Sequence, residues 1–536
     1  MTQEPVIMET FGFGQQNSLS AEEFGNKAAG LAAISLLGIP VPSGFSLSVS
    51  VCREYFAAGR TFSADSRHLL VQGIAFVEQA TGNVFAGDRR PLLVSVRSGA
   101  PVSMPGIMDT ILNVGLTPES VRGLIAKTGS PHFVYDTYRR FLENFGVCVF
   151  GHDPREYQRM LHNGIAEAGL ADERELDFQG LRTLCQNYSA LYSSKEERQC
   201  LSDGMRQLEC AAVAVIRSWM TPRAVDFRRL QQVEESIGTA VTVQAMVFGN
   251  MGSSSGAGVA FTRNPWSGTK ELLADFRFGA QGEDVVSGSR SASTQAELAE
   301  RLPEVYRELL QIGSRLEEHF HDMQDIEFTV QEGRLFILQN RAGRRSPLAA
   351  LRIAVELCQD GIITQEEALG RLDGIDPGAI ELQSVHAAEP PVAYGISASG
   401  GVATGSISFS AERAVRDSVD GRVILVRETA SPDDITGIDA SAGILTAHGA
   451  RTSHAAVVAR QMGKVCVVNC TDLTIEPGKH RCSIRESVFH EGDLISIDGN
   501  SGAVYRGKVD IVRQKPDDLI ATIERWRTEA IHSDNR

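Results

Sequence analysis

The segment Gly443-Ile-Leu-Thr-Ala-His-Gly-Ala-Arg-Thr-Ser-His454-Ala-Ala-Val-Val-Ala-Arg460 constrains the chain more than any other. It reads as an apolar strand, Ile444 to Thr446, a glycine turn, and a helix capped by Thr452 or Ser453 with His454 in its first turn. Around it, residues 394 to about 510 are otherwise Gly-punctuated short strands. The position suits a phosphoryl acceptor. Neutral imidazole is a good nucleophile near pH 7. A phosphoryl group added there meets free N–H groups and the positive end of the helix dipole. The small residues Gly449, Ala450, Ala455 and Ala456 leave room for a bulky donor to approach. On local grounds the plainer alternative stands: a capped helix with an exposed histidine at its start.

At 536 residues the chain exceeds what one hydrophobic core holds, so two to four domains are expected. Residues 1–115 mix short apolar runs with Gly/Pro turns and hold a strand, Leu92 to Val96, that ends abruptly at Arg97-Ser98-Gly99. Residues 116–237 read as helical, with Phe133, Tyr138, Phe141, Leu142 and Phe145 at helical spacing. Strands return over 238–345. A helical linker, 346–392, leads to the compact segment 393–512, and a charged helical tail, 513–536, follows.

Formal net charge is −15 with no Lys/Arg-rich run, which argues against nucleic acid as a partner. The nine cysteines lack CxxC or zinc spacing, and Cys466 and Cys470 fall in an apolar run that reads as a buried strand. No stretch approaches the ~20 apolar residues of a membrane span. No membrane is expected, and the compartment is expected to be cytoplasmic.

A second constellation lies in Gln324 to Arg341, which reads as a β-hairpin turning at Gly333. Alternation puts Asp325 and Glu327 on one strand face and Ile326, Phe328 and Val330 on the other. A three-residue loop, Gln331-Glu332-Gly333, would set Gln339 opposite Asp325 and gather both carboxylates, the amide and Arg341 on one face. Glu327 and Gln339 would then hold Mg²⁺ against phosphate oxygens while Arg341 neutralises the transferring group. The alternative is a solvent-facing strand of mixed charge. Lys27 starts an apparent helix after Gly25, and Arg97 stands at the end of a predicted strand. The loop Gly252 to Gly258 offers backbone N–H groups to phosphates.

Taken together, Ser95–Thr110, Tyr138–Phe141, Val241–Asn250, Gly258–Pro265, Ala280–Val286 and Asp322–Thr329, with Thr452–Arg460 and Met462–Val468, resemble the pyruvate phosphate dikinase family in order and content. The resemblance implies an α/β multidomain fold, with an ATP-grasp nucleotide-binding domain and a swivelling phosphohistidine domain. It implies that Lys27, Arg97, Asp325, Glu327, Gln339 and Arg341 surround the ATP phosphates and the metal. Glu283 and Asp284, with Arg139 or Arg140, match positions near the nucleotide or inorganic phosphate. Two departures are Ala450, where the family has glycine, and the run Gly25-Asn26-Lys27-Ala28.

The family continues into a (β/α)₈ barrel that binds pyruvate or phosphoenolpyruvate, and such a barrel needs ~250 residues. The tail after residue 512 is far shorter. The expected activity is therefore the first half-reaction: ATP, phosphate and His454 giving AMP, pyrophosphate and phosphohistidine. The Pro347–Pro391 connector and a free tail would let the histidine domain reach an acceptor on a separate barrel protein. A homodimer stays open. Other readings are an ATP-sensing regulatory module, or a kinase acting on a small acceptor bound by this chain. Thr452 matches a regulatory phosphorylation position in some relatives, and helix capping is the role favoured here.

Overall fold

Three neighbouring strands are buried on both faces: Phe45, Leu47, Val96 and Val243 on one side, and Ser46, Ser95 and Thr242 on the other. A computed structural model describes residues 7–534 apart from 13, 14, 16, 101–107, 171, 231, 232, 283–294, 432, 433 and 452. The chain folds as two compact units, Met1–Val247 with Phe336–Gln339, and Phe248–Leu335 with Asn340–Arg536.

In the first unit β1 (Met8–Phe11), α1 (Ala21–Leu36), β2 (Gly44–Leu47), β3 (Val94–Gly99), β4 (Thr110–Val114), α2 (Pro131–Phe145), α3 (Gly204–Ser218) and β5 (Ala240–Ala245) follow in sequence. The strands form one sheet in the order β1-β2-β5-β3-β4. β3 runs three residues past its predicted end, because Arg97, Ser98 and Gly99 continue the ladder opposite Thr242, Val241 and Ala240. Helices fill the chain between β4 and β5. On α2, Phe133, Phe141, Leu142 and Phe145 are buried, as their spacing predicts.

Next in sequence come β6 (Gly256–Phe261), β7 (Leu273–Phe278), α4 (Pro303–Phe320), β8 (Gln324–Gln331) and β9 (Arg334–Ala342), all of the second unit except Phe336–Gln339 of β9, with sheet order β9-β8-β6-β7. Next come α5 (Pro347–Gln359), α6 (Gln365–Gly370) and β10 (Leu382–His386). An eight-stranded sheet follows, built from β11 (Ala393–Tyr394), β12 (Ile396–Ser399), β13 (Val402–Ser408), β14 (Val423–Arg427), β15 (Gly443–Thr446) and, beyond α7 (His454–Gln461), β16 (Val465–Val468). A three-stranded flap, β17 (Leu473–Glu476), β18 (Arg481–Ile484) and β19 (Ser487–His490), precedes β20 (Leu494–Asp498) and β21 (Ala503–Arg506), which complete that sheet. Its order is β11-β21-β20-β13-β14-β15-β16-β12, with β13 to β16 parallel.

The terminal segment is held, not free. β22 (Asp510–Gln514) pairs antiparallel with β10. α8 (Asp517–Asp534) buries Ile523 and Trp526 in a core shared with Leu351, Val355 and Ala368 of α5 and α6. The spacing of Leu519, Ile520, Ile523 and Trp526 gives α8 an apolar stripe, and α5 and α6 cover it. All nine cysteines are free thiols, and Cys466 and Cys470 are buried. Among the described residues no helix is long and apolar enough to cross a membrane.

Candidate active site

The turn between β8 and β9 has two residues, Glu332 at φ 50° and Gly333 at φ 77°. That is the mirror-image turn favoured in tight hairpins, in place of the predicted three-residue loop. A strict two-residue hairpin would set residue 342 opposite Met323. Instead Gly343 N–H donates to the Met323 carbonyl at 2.9 Å, so β9 accommodates one extra residue. The consequence is that Arg341, not Gln339, comes opposite Asp325. Arg341 Nε donates to Asp325 Oδ2 at 2.8 Å, and its Nη2 reaches the same oxygen at 2.8 Å.

Asp325 is 6% exposed, and its other oxygen, Oδ1, is buried without a hydrogen-bond partner among the described residues. Burial pushes the carboxyl above its ordinary range, against the pull of Arg341. Glu327 lies two residues along the same strand face, half-buried. The face thus presents two hard oxygen donors, one of them unsatisfied. That set suits a cation that keeps its remaining ligands from water and phosphate. Gln339 is half-buried on β9.

β6 and β7 extend this face. Glu327 stands opposite Val259, and Val259 opposite Asp275. Residues opposite one another share a face, so Asp275 lies on the carboxylate side two strands away, about 10 Å at normal strand spacing. Asp275 is 2% exposed and accepts from Arg451 twice: from its backbone N–H at 2.6 Å and from Nη1 at 2.5 Å. Arg460, on α7, donates to the Arg451 carbonyl at 2.7 Å and lies over the Phe261 ring, 5.4 Å from its centroid. Burial lowers the Arg460 guanidinium from its usual value, and Asp325 opposes that shift.

Sequence reasoning missed Asp275, Arg451 and Arg460. Two signals were available. Arg451 stands three residues before His454, and Asp275 is a carboxylate in a strand whose other residues, Arg277 apart, are apolar.

His454 begins α7, and Ser453 is its cap, accepting from Ala456 N–H at 3.4 Å. Thr452 lies outside the described residues. The small residues around His454 pack inward. Ala450, Ala455 and Ala456 are 1%, 2% and 0% exposed, so they seat the helix on its sheet and do not line an open approach. Gly449 sits at φ 144°, a conformation that residues with a Cβ rarely adopt, and a Cβ there would lie a tight 3.2 Å from Val468 Cβ.

Lys27 and Arg97 belong to the first unit. Gly25 interrupts α1 at φ 78°, and a Cβ on it would lie 1.9 Å from the Gly99 carbonyl oxygen. The helix turn carrying Lys27 thus starts against the end of β3, the strand of Arg97. Arg139 is 4% exposed on α2, within 3.1 Å of Asp136, 3.5 Å of Glu173 and 3.7 Å of Glu143. Arg140 also pairs with Asp136, at 3.1 Å. Glu283 and Asp284 lie outside the described residues.

Residues 68–296 and 292–357 match the family described as pyruvate phosphate dikinase, AMP/ATP-binding domain. Residues 419–502 match PEP-utilising enzyme, mobile domain. The pyruvate, phosphate dikinase of Clostridium symbiosum is 39% identical over 512 residues, covering 93% of this chain and 58% of that protein. That of Rhizobium meliloti is 41% identical over 535 residues, covering 96% and 60%. The chloroplastic pyruvate, phosphate dikinase 1 of Oryza sativa subsp. japonica is 42% identical over 506 residues, covering 93% and 53%. The chain therefore spans less than two thirds of the length of these relatives.

Proposed function

The chain belongs to the pyruvate phosphate dikinase family, and from that premise we propose that it phosphorylates its own His454, using ATP and inorganic phosphate and releasing AMP and pyrophosphate. One observation carries this reading. The segment before His454 is tied through Arg451 to Asp275, on the sheet face that presents Asp325 and Glu327 and, opposite Asp325, Arg341.

In this reading Glu327 and Asp325 would hold Mg²⁺, with Gln339 as a further candidate oxygen, and the metal would supply charge neutralisation for the ATP phosphates. Arg341 leaves its contact with Asp325, or shares it, to meet the phosphoryl group as negative charge develops. The desolvated Asp325 carboxylate gains from a cation, which supports its assignment. Lys27 and Arg97 are the proposed phosphate contacts of the first unit. Glu283 and Asp284 are the proposed contacts nearer inorganic phosphate. Arg139 would join them only by giving up some of its three carboxylates. The imidazole of His454 acts as nucleophile, and the start of α7 favours the charge it gains.

The phosphoryl group then passes to an acceptor bound outside these 536 residues, by a further portion of the polypeptide or by a separate protein. The paired strands β10 and β22 support this, because both chain crossings into the eight-stranded sheet run side by side and can turn together.

The test is incubation with Mg²⁺ and ATP labelled at the β-phosphate, with and without inorganic phosphate, beside His454→Ala. Acid-labile, alkali-stable label on the wild type alone, with AMP release, supports the reading. ATP binding with no label on the wild type overturns it.

A further inference from the structure

Open sheets of parallel strands commonly take their ligands outside the carboxyl ends of those strands, and one such place here is a cleft that the proposed reaction leaves unused. β13 and β14 run parallel, with Ser408 opposite Leu425. Just past their ends, residues of both strands and of the flap line a cleft of about 340 Å³, within the size range of small-molecule sites. Phe409, Val426 and Ile475 supply an apolar part of its lining. The charged part is balanced, with Arg413 and Arg427 against Glu428 and Glu491, and the His480 ring beside Glu491.

Two of these groups are short of hydrogen bonds. The Glu491 side chain is only 7% exposed. Arg413 Nη1 comes within 2.9 Å of its Oε2 and His480 Nδ1 within 2.8 Å, yet neither is aligned to donate. That oxygen is buried with no hydrogen-bond partner among the described residues. On the end of β14, Arg427 Nη1 donates to the Phe409 carbonyl at 2.9 Å. Its Nε is buried and lies 3.2 Å from Asp434 Oδ1, again without the alignment of a hydrogen bond. The cleft thus presents a buried acceptor and a buried donor that are both unsatisfied. Such groups are nearly always paired in folded proteins, and a ligand supplies the missing partners.

The charge balance selects the ligand. A simple anion would satisfy the guanidinium groups and be repelled by Glu428 and Glu491; a simple cation would meet the reverse. We propose that the cleft binds a small zwitterion of the amino-acid kind, its carboxylate toward Arg413 and Arg427 and its ammonium toward Glu428 and Glu491. Its carbon skeleton would cover the apolar lining of Phe409, Val426 and Ile475. Ammonium N–H groups would give Glu491 Oε2 the donor it lacks, and the carboxylate would give Arg427 Nε an acceptor.

The test uses the full chain without nucleotide, so it reads the cleft whether or not His454 takes label. The twenty amino acids, each at about 10 mM, are screened by thermal shift, and those that raise the wild-type melting temperature are titrated by calorimetry. At least one is expected to bind one to one with a Kd below about 1 mM. The matching acid without the amine, and the matching amine without the carboxylate, are each expected to bind at least about tenfold more weakly. Glu428→Gln alters an exposed side chain and Arg413→Gln a nearly half-exposed one, so both keep the fold, which circular dichroism checks. Each is expected to weaken binding about tenfold, the worth of one charge-assisted contact. The proposal is overturned if no amino acid binds the wild type, or if both variants bind within about twofold of it, which puts the ligand elsewhere. An acid without the amine that binds as tightly overturns it too, because the cleft is then a simple anion site.

Discussion

Replacing Arg451 with methionine tests whether the segment before His454 must be tied to the carboxylate-bearing sheet. The substitution keeps most of the apolar stem and removes the guanidinium. Asp275, 2% exposed, would then hold only the backbone N–H at 2.6 Å. A charge-assisted hydrogen bond to a buried partner contributes about 1.5–3 kcal/mol, and about 1.4 kcal/mol is a factor of ten. The tied population should therefore fall about ten- to hundredfold relative to any released one, and the initial labelling rate of His454 with it. Rapid-quench labelling at saturating ATP measures that rate. ATP affinity, read separately by calorimetry, should stay within about twofold, because Arg451 is not among the proposed nucleotide contacts. The double exchange Arg451→Asp with Asp275→Arg should recover part of the rate. An unchanged labelling rate in Arg451→Met, with ATP affinity intact, refutes the tether.

Asp325→Asn should abolish labelling without lowering the melting temperature at neutral pH. Folding raises the Asp325 pKa, so the ionised carboxylate loses the native state some stability as pH climbs above the unfolded value of 3.8, and the amide escapes that loss. Calorimetric scans at pH 5 and pH 8 check the sign. Arg263→Met should cost about 3–5 kcal/mol in urea unfolding of the second unit. The fully buried Arg263 joins Glu317 at 3.0 Å to Glu356 at 2.5 Å, and both carboxylates would lose their cation. Gly25→Ala should weaken ATP binding and cost more than about 3 kcal/mol, since strain and the clash with the Gly99 carbonyl both act at the turn before Lys27. Thermal shift with and without ATP measures both effects.

Much of the site was legible because alternation along a strand is a reliable code. Asp325 and Glu327 could be assigned to one face of β8 before any pairing was known. Arg341 was grouped with them through a loop the molecule does not use; an extra residue in β9 restores the contact, and sequence periodicity carries no signal for such a bulge. The strand, glycine turn and capped helix around His454 were equally clear, since each step has its own residue chemistry. The buried role of Ala450, Ala455 and Ala456 was not, because small residues suit an open approach and tight packing alike. Asp275 escaped notice for a different reason. Its partner is 176 positions away, and nothing local to Leu273–Phe278 predicts Arg451. The packing of α8 could have been foreseen from the spacing of its apolar residues, although what they pack against could not.

The central claim is that His454 receives a phosphoryl group from ATP. The direct measurement is peptide mass spectrometry, under alkaline conditions, of protein treated with Mg²⁺, ATP and inorganic phosphate, with AMP counted in the same sample. Phosphate on the peptide containing His454, lost on brief acid treatment and matched by equimolar AMP, is the predicted result. An unmodified His454 peptide from protein shown to bind ATP would contradict the account.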